Sequence, residues 1–197
     1  MDRRGYLLAA CMAALFVGVS TAAVLRGGAP LTLAVRLFAL NGFVALAIAA
    51  CMSPFLREIR QIFGRPFIYV HHFFAAFGLT AILLHPVAAA VRAGSLSVFI
   101  PVFSSLQAFL ALGGRVAFYL ILIAVAAAVL RNRYPAVWRP FHMLMYAALA
   151  LAIVHATLIG SDLVNPAVRG ILYAIFVVVV AALLLKRRQR YLKGAGK

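Results

Sequence analysis

The sequence predicts an all-α integral membrane protein: a six-helix bundle with both termini on the cytoplasmic side. Three observations carry this. First, 66% of the 197 residues are hydrophobic and the mean hydropathy is +1.08, against roughly 45–50% apolar in a soluble domain. A soluble chain of this length cannot bury that much apolar surface. Second, the apolar residues fall into six runs, each near the roughly 20 residues a helix needs to cross a 30 Å hydrocarbon core. Third, 19 Lys and Arg stand against three acids, Asp2, Glu58 and Asp162, for a formal net charge of +16. The basic residues lie in the short connections between the runs. A nucleic-acid footprint would instead gather on one soluble face, so the expected partner is a lipid bilayer and not a nucleic acid.

The runs span about 6–25, 33–55, 67–91, 113–130, 141–160 and 168–185. No sustained alternation marks strands, and an open sheet cannot cross lipid. The first run is long for a signal-peptide core and has no clean cleavage site, so it is taken as a helix. With the N-terminus inside, the cytoplasmic set is Arg3, Arg4, Arg57, Arg60, Arg65, Arg131, Arg133, Arg139 and the tail Lys186, Arg187, Arg188, Arg190, Lys193 and Lys197. The outer set is Arg26, Arg92 and Arg169. That bias fixes the expected orientation in a plasma or inner membrane, and it requires an even number of spans. Arg36 and Arg115 fall near outer helix ends and are expected to snorkel to the interface.

The third connection, about 92–112, is amphipathic and contains Pro101. It is expected to form a short interfacial helix on the outer face. No internal repeat, low-complexity segment or linker divides the chain, so residues 1–197 are read as one domain. Cys11 and Cys51 sit on different apolar runs without CxxC spacing and are read as small packing residues.

The five histidines carry the chemistry. His71, His72 and His85 fall on the third run, and His142 and His155 on the fifth. A ligating side chain inside a span is expensive and marks function by default, and neutral imidazole is the usual axial ligand of haem iron. His71 and His85 are fourteen residues apart. On an ideal helix they lie within about 40° of one face and about 21 Å apart along the axis. His72 and His85 are thirteen apart, which places them about 140° apart in azimuth. His142 and His155 share that thirteen-residue spacing, so a tight turn, a bend or a different ligand orientation must absorb the difference. His71 is favoured by its face, and His72 by the shared spacing. The third and fifth runs should cross in the same direction. His71 would then meet His142 at the cytoplasmic depth and His85 would meet His155 at the outer depth. Each pair would clamp one haem between helices. A metal-ion site or a proton path is the competing use of four imidazoles.

The segment Trp138-Arg-Pro-Phe-His142-Met-Leu-Met-Tyr146, followed by His155, resembles the fifth-helix signature of the ferric-reductase-like transmembrane domain family. Within it, the Trp-x3-His-x3-Tyr-x8-His spacing is similar to the haem-binding membrane subunit of the periplasmic methionine sulfoxide reductase system. In that group a basic residue can stand where His71 stands. A full set of four histidines is closer to the NADPH oxidase and ferric reductase membrane domains. The resemblance covers nearly the whole chain. It implies two b-type haems, electrons fed from a quinone or a flavin, and a separate reductase subunit or soluble donor and acceptor.

Aromatic side chains flank the histidines, among them Phe67, Tyr69, Phe73, Phe74, Phe77, Phe141 and Tyr146; each suits a porphyrin face or the membrane interface equally. Gly78 and the Gly113–Gly114 pair suit close approach of a helix or macrocycle. Arg65 and Arg139 stand where inner propionates would emerge, and Arg92 and Arg115 where outer ones would, although topology alone also accounts for the inner arginines. About a dozen residues follow the sixth run, too few for a nucleotide-binding reductase domain. The expected function is therefore electron transfer as a membrane subunit rather than a complete enzyme. The rivals are a self-sufficient ferric or cupric reductase and, from another class, a small transporter or assembly protein with a histidine metal site.

Overall fold

The computed structural model describes residues 2–195. Met1, Gly196 and Lys197, the last residue of the basic tail, lie outside that description, as do the side chains of Arg190 and Lys193. The described residues form nine α-helices: α1 Arg3–Arg26, α2 Pro30–Met52, α3 Leu56–Phe63, α4 Phe67–Ala93, α5 Leu106–Ala111, α6 Gly113–Val129, α7 Trp138–His142, α8 Leu144–Ile159 and α9 Pro166–Ala195. No strand occurs among the described residues. Six helical stretches among them are long and apolar enough to cross a membrane: α1, α2, α4, α6 with the turn that follows it, α7 with α8, and α9.

Local signals set the ends. Asp2 caps α1, its Oδ1 accepting from Gly5 N at 2.7 Å, which satisfies one of the free N–H groups of a first turn. Pro30 opens α2, where a missing N–H costs nothing. Both α3 and α4 stop at glycines in the left-handed region, Gly64 at φ 65° and Gly94 at φ 61°, a conformation that a side chain disfavours.

Helix α2 is the axis of the bundle. Val44, Ala45 and Ala47 are fully buried, and Leu40, Phe43, Leu46, Ile48 and Met52 nearly so. A helix that is apolar on every face must be surrounded, and α2 packs against α1, α4, α8 and α9. Its contact with α4 depends on two glycines. A Cβ at Gly42 would lie 2.8 Å from Ile82 Cγ1, and one at Gly78 would lie 2.9 Å from Leu46 Cγ. Small residues let membrane helices approach this closely. Helix α9 turns one stripe inward, Val168, Leu172, Ile175, Val179 and Ala182, and leaves Val177, Val178, Leu184 and Leu185 exposed. The exposed apolar residues fit a lipid surround.

Three features go beyond the sequence reading. The third connection holds a short helix within a longer irregular path. It forms a 3-10 turn at Leu96–Phe99 and then the short α5, which leads into α6 across Leu112. Pro101 and the paired Ser104 and Ser105 interrupt it, and the Ser105 hydroxyl caps α5 through Ala108 N. Helix α3 was not expected. It is strongly amphipathic, burying Ile59 while exposing Arg57 and Arg60. Arg36 does not snorkel. It is 7% exposed, and its Nε donates to both carboxylate oxygens of Asp162 at 2.8 and 2.9 Å. The Arg36 Nη atoms also donate to Asp162 Oδ1, Gly27 O and Ala23 O. A buried guanidinium needs a counter-charge and acceptors, and here the end of α1 and the 161–164 turn provide them. Arg115 likewise donates to Ile100 O at 2.8 Å.

Candidate functional site

Four of the five histidines are anchored in one way. His71 Nδ1 lies 3.2 Å from Ala49 O, His85 Nδ1 2.9 Å from Val35 O, His142 Nδ1 3.0 Å from Ala124 O, and His155 Nδ1 2.7 Å from Ala111 O. A carbonyl only accepts, so each Nδ1 carries the proton and donates. In a neutral ring the lone pair then resides on Nε2. Metal-ligating histidines are held this way: the nitrogen away from the metal donates to a carbonyl or carboxylate, which fixes the tautomer and the ring orientation. All four rings are partly buried, whereas His72 is exposed.

The anchors come in register. Ala49 and Val35 are fourteen residues apart on α2, as are His71 and His85 on α4. Ala124 and Ala111 are thirteen apart, as are His142 and His155. Helix α4 therefore runs antiparallel to α2, which holds both of its rings, and α7–α8 runs antiparallel to α5–α6, which holds the other two. The thirteen-residue spacing coincides with two tight turns. Helix α7 breaks from α8 at Met143, where Tyr146 N donates to Met143 O, and α5 breaks from α6 at Leu112, where Arg115 N donates to Leu112 O. Such three-residue bonds advance the chain by about 120° per residue rather than 100°, which moves His142 and His155 toward a common face.

The histidines meet in two groups. The His71 and His142 ring centroids are 6.4 Å apart, with planes at 73°. Rings at that separation could both reach one metal held between them, each nitrogen about 2 Å from it. His85 and His155 line one cavity of about 420 Å³, with Arg36, Arg92, Arg115 and Phe99 in its wall. That volume lies within the roughly 300–1,000 Å³ of cofactor-sized pockets. Arg65 and Arg139 are both exposed, and Arg139 lies over the Trp138 ring at 5.6 Å. Among the described residues, no three His, Cys, Asp or Glu side chains converge on one point; the imidazoles come in twos. Of the aromatics, Phe67 stacks on the His71 ring with centroids 5.2 Å apart, and Tyr146 donates to Ala50 O at 3.3 Å.

Sequence reasoning missed the backbone anchors, because a carbonyl leaves no mark in a sequence. It also missed the Arg36–Asp162 pair in the cavity wall, whose partners are 126 residues apart. No protein-family model, curated protein or solved structure matches this chain.

Proposed function

We propose that this protein carries electrons across a plasma or inner membrane through two b-type haems, as the membrane subunit of a reductase system of the ferric-reductase-like kind. His71 and His142 would hold the haem nearer the cytoplasm, and His85 and His155 the outer one. The observation that carries this reading is the fourfold Nδ1 anchoring, which leaves the Nε2 lone pair of each ring free to bind. When bound, the iron supplies reversible one-electron chemistry, tuned by axial ligands, burial and hydrogen bonds.

The chain's own residues do the rest. The carbonyls of Val35, Ala49, Ala111 and Ala124 fix ring tautomer and orientation and raise ligand basicity. The apolar walls exclude water, and Phe67 covers one face of the His71 ring. Arg92 and Arg115 supply positive charge beside the outer cavity, where a guanidinium suits a carboxylate. Along α4 the two ligand levels are about 21 Å apart at 1.5 Å per residue, most of the hydrocarbon thickness.

A self-sufficient metal-ion reductase is less well supported. The chain has three acids, and the one at the outer cavity, Asp162, is tied to Arg36. A rim of arginines repels a ferric or cupric ion. A separate acceptor on the outer side and a donor on the inner side, a quinone or a flavin-bearing protein, fit better. A histidine site for a bare ion would need three or four converging ligands.

The test is an optical spectrum of the purified protein from haem-replete cells. A Soret band with reduced b-type α and β bands is expected. A protein that folds and inserts yet binds no haem would overturn the proposal.

A further inference from the structure

The ring of His155 is gripped on two sides. Its Nδ1 donates to Ala111 O at 2.7 Å. One face of the ring lies against Gly114 on the first turn of α6: a Cβ built there would stand 2.9 Å from Cδ2, 2.9 Å from Nε2 and 3.1 Å from Cγ of the imidazole. Contacts below 3 Å are not tolerated, so a methyl at 114 must displace the ring. The ring cannot swing freely, because rotation breaks the bond to Ala111. The neighbouring Gly113 differs: its Cβ would meet Leu151 O at 3.5 Å, an ordinary contact.

We propose that Gly114 is a positioning residue for the outer site: its missing side chain makes room for the face of the His155 imidazole and so sets the plane of that ring. The inference rests on the two-haem reading and deepens it. It assigns a role to one residue of a glycine pair that helix packing alone would treat alike. A side chain here would press on the face of the ring, over Cδ2 and Nε2, while Ala111 still holds Nδ1. The ring would tilt, turning the Nε2 lone pair from the direction it holds in wild type. Loss of such outer positioning contacts costs metal sites about 10- to 100-fold in affinity.

The experiment compares wild type, Gly114→Ala and Gly113→Ala, each purified intact in detergent. Haem per protein, the low-spin electron paramagnetic resonance signals and the thermal unfolding midpoint are measured. In Gly114→Ala the outer haem is expected to weaken by about tenfold or more, or to remain with a shifted paramagnetic signal that reports a changed ligand plane. The inner signal should be unchanged and the unfolding midpoint of the haem-free form close to wild type. Gly113→Ala should match wild type throughout. Gly114→Ala with both haems bound and both signals unaltered would overturn the inference, as would equal loss of both haems with a lowered haem-free midpoint, which marks general damage to α6–α8 packing. Wild type without haem would instead sink the two-haem reading.

Discussion

The imidazole of His71, on α4, lies 6.4 Å from that of His142, at the end of α7, although 71 residues separate them in the chain. The two rings reach this spacing because each is tied by Nδ1 to the helix behind it, His71 to α2 and His142 to α6. The pairing is thus built into two antiparallel hairpins, α2 with α4 and α6 with α7–α8. It follows that His71→Ala and His142→Ala should abolish the same haem, and that His85→Ala and His155→Ala should abolish the other. Redox difference spectra of the four variants check this. A matching loss in His71→Ala and His155→Ala would break the assignment.

On the proposed reading, two ligand levels call for two haems per chain. Extraction and quantification against protein should give a ratio near two when haem supply is not limiting. A ratio fixed at one, unchanged by added haem, would mean that only one pair binds.

The buried pair of Arg36 and Asp162 should behave as a latch with an asymmetric response. Asp162→Asn leaves a guanidinium at 7% exposure without its counter-charge. Breaking a buried pair this way costs about 3–5 kcal/mol, whereas replacing both partners with apolar residues of similar size is often near neutral. Arg36→Met with Asp162→Leu should therefore melt closer to wild type than Asp162→Asn alone, in a detergent unfolding series. Equal losses in the single and double variants would show that the pair contributes through the Arg36 bonds to Ala23 O and Gly27 O instead.

The other pair is of a different kind. Lys186 Nζ sits 2.9 Å from Glu58 Oε1 and 4.8 Å from the Phe55 ring centroid. The hydrogen bond from Lys186 holds the Glu58 carboxyl below its ordinary range. A carboxylate with a depressed folded value stabilises the fold above its unfolded value of about 4.3, and the contribution is lost as pH falls through the lower folded one. The Glu58→Gln effect should accordingly be flat between pH 6 and 8 and vanish only in acid. Because Glu58 is half exposed, salt should weaken it. A Glu58→Gln effect that changes near pH 7 would contradict this.

The legibility of this protein divides along physical lines. The six spans were readable because lipid demands about 20 apolar residues at a time, a signal local to each run. The histidines stand out in the sequence because an ionisable group in a span has to be explained. Helix α3 was missed because its polar residues, among them Arg57 and Arg60, look like a loop when only hydropathy is scanned. The fate of Arg36 was missed because Asp162, a lone acid in a short turn, gives no local hint of a partner 126 residues away. Pro140 precedes the tight turn at Met143 and Gly113 and Gly114 follow the one at Leu112, but neither signal by itself fixes a register. The turns follow from the register that holds His142 and His155 to Ala124 and Ala111.

The adjacent histidines give the sharpest test. Spacing alone favoured either: His71 shares a face with His85, while His72–His85 matches the thirteen residues of His142–His155. The structure supplies a reason to separate them. His71 has an anchor at Ala49 O, a stacking partner in Phe67 and a facing ring in His142. His72 is exposed, and its ring is 6.0 Å from that of His71. The equal thirteen-residue spacing loses force once tight turns are seen on the α7–α8 side, for α4 runs unbroken from Phe67 to Ala93 and there the fourteen-residue spacing is the one that shares a face. His71→Ala should therefore abolish the haem nearer the cytoplasm, and His72→Ala should leave it bound with at most a small spectral shift. His71→Gln tests the same point with a side chain of similar reach that cannot replace an anchored imidazole, and it should also lose that haem. Full loss in His72→Ala with retention in both His71 variants would reverse the assignment and require α4 to tighten between residues 72 and 85 as the α7–α8 junction does.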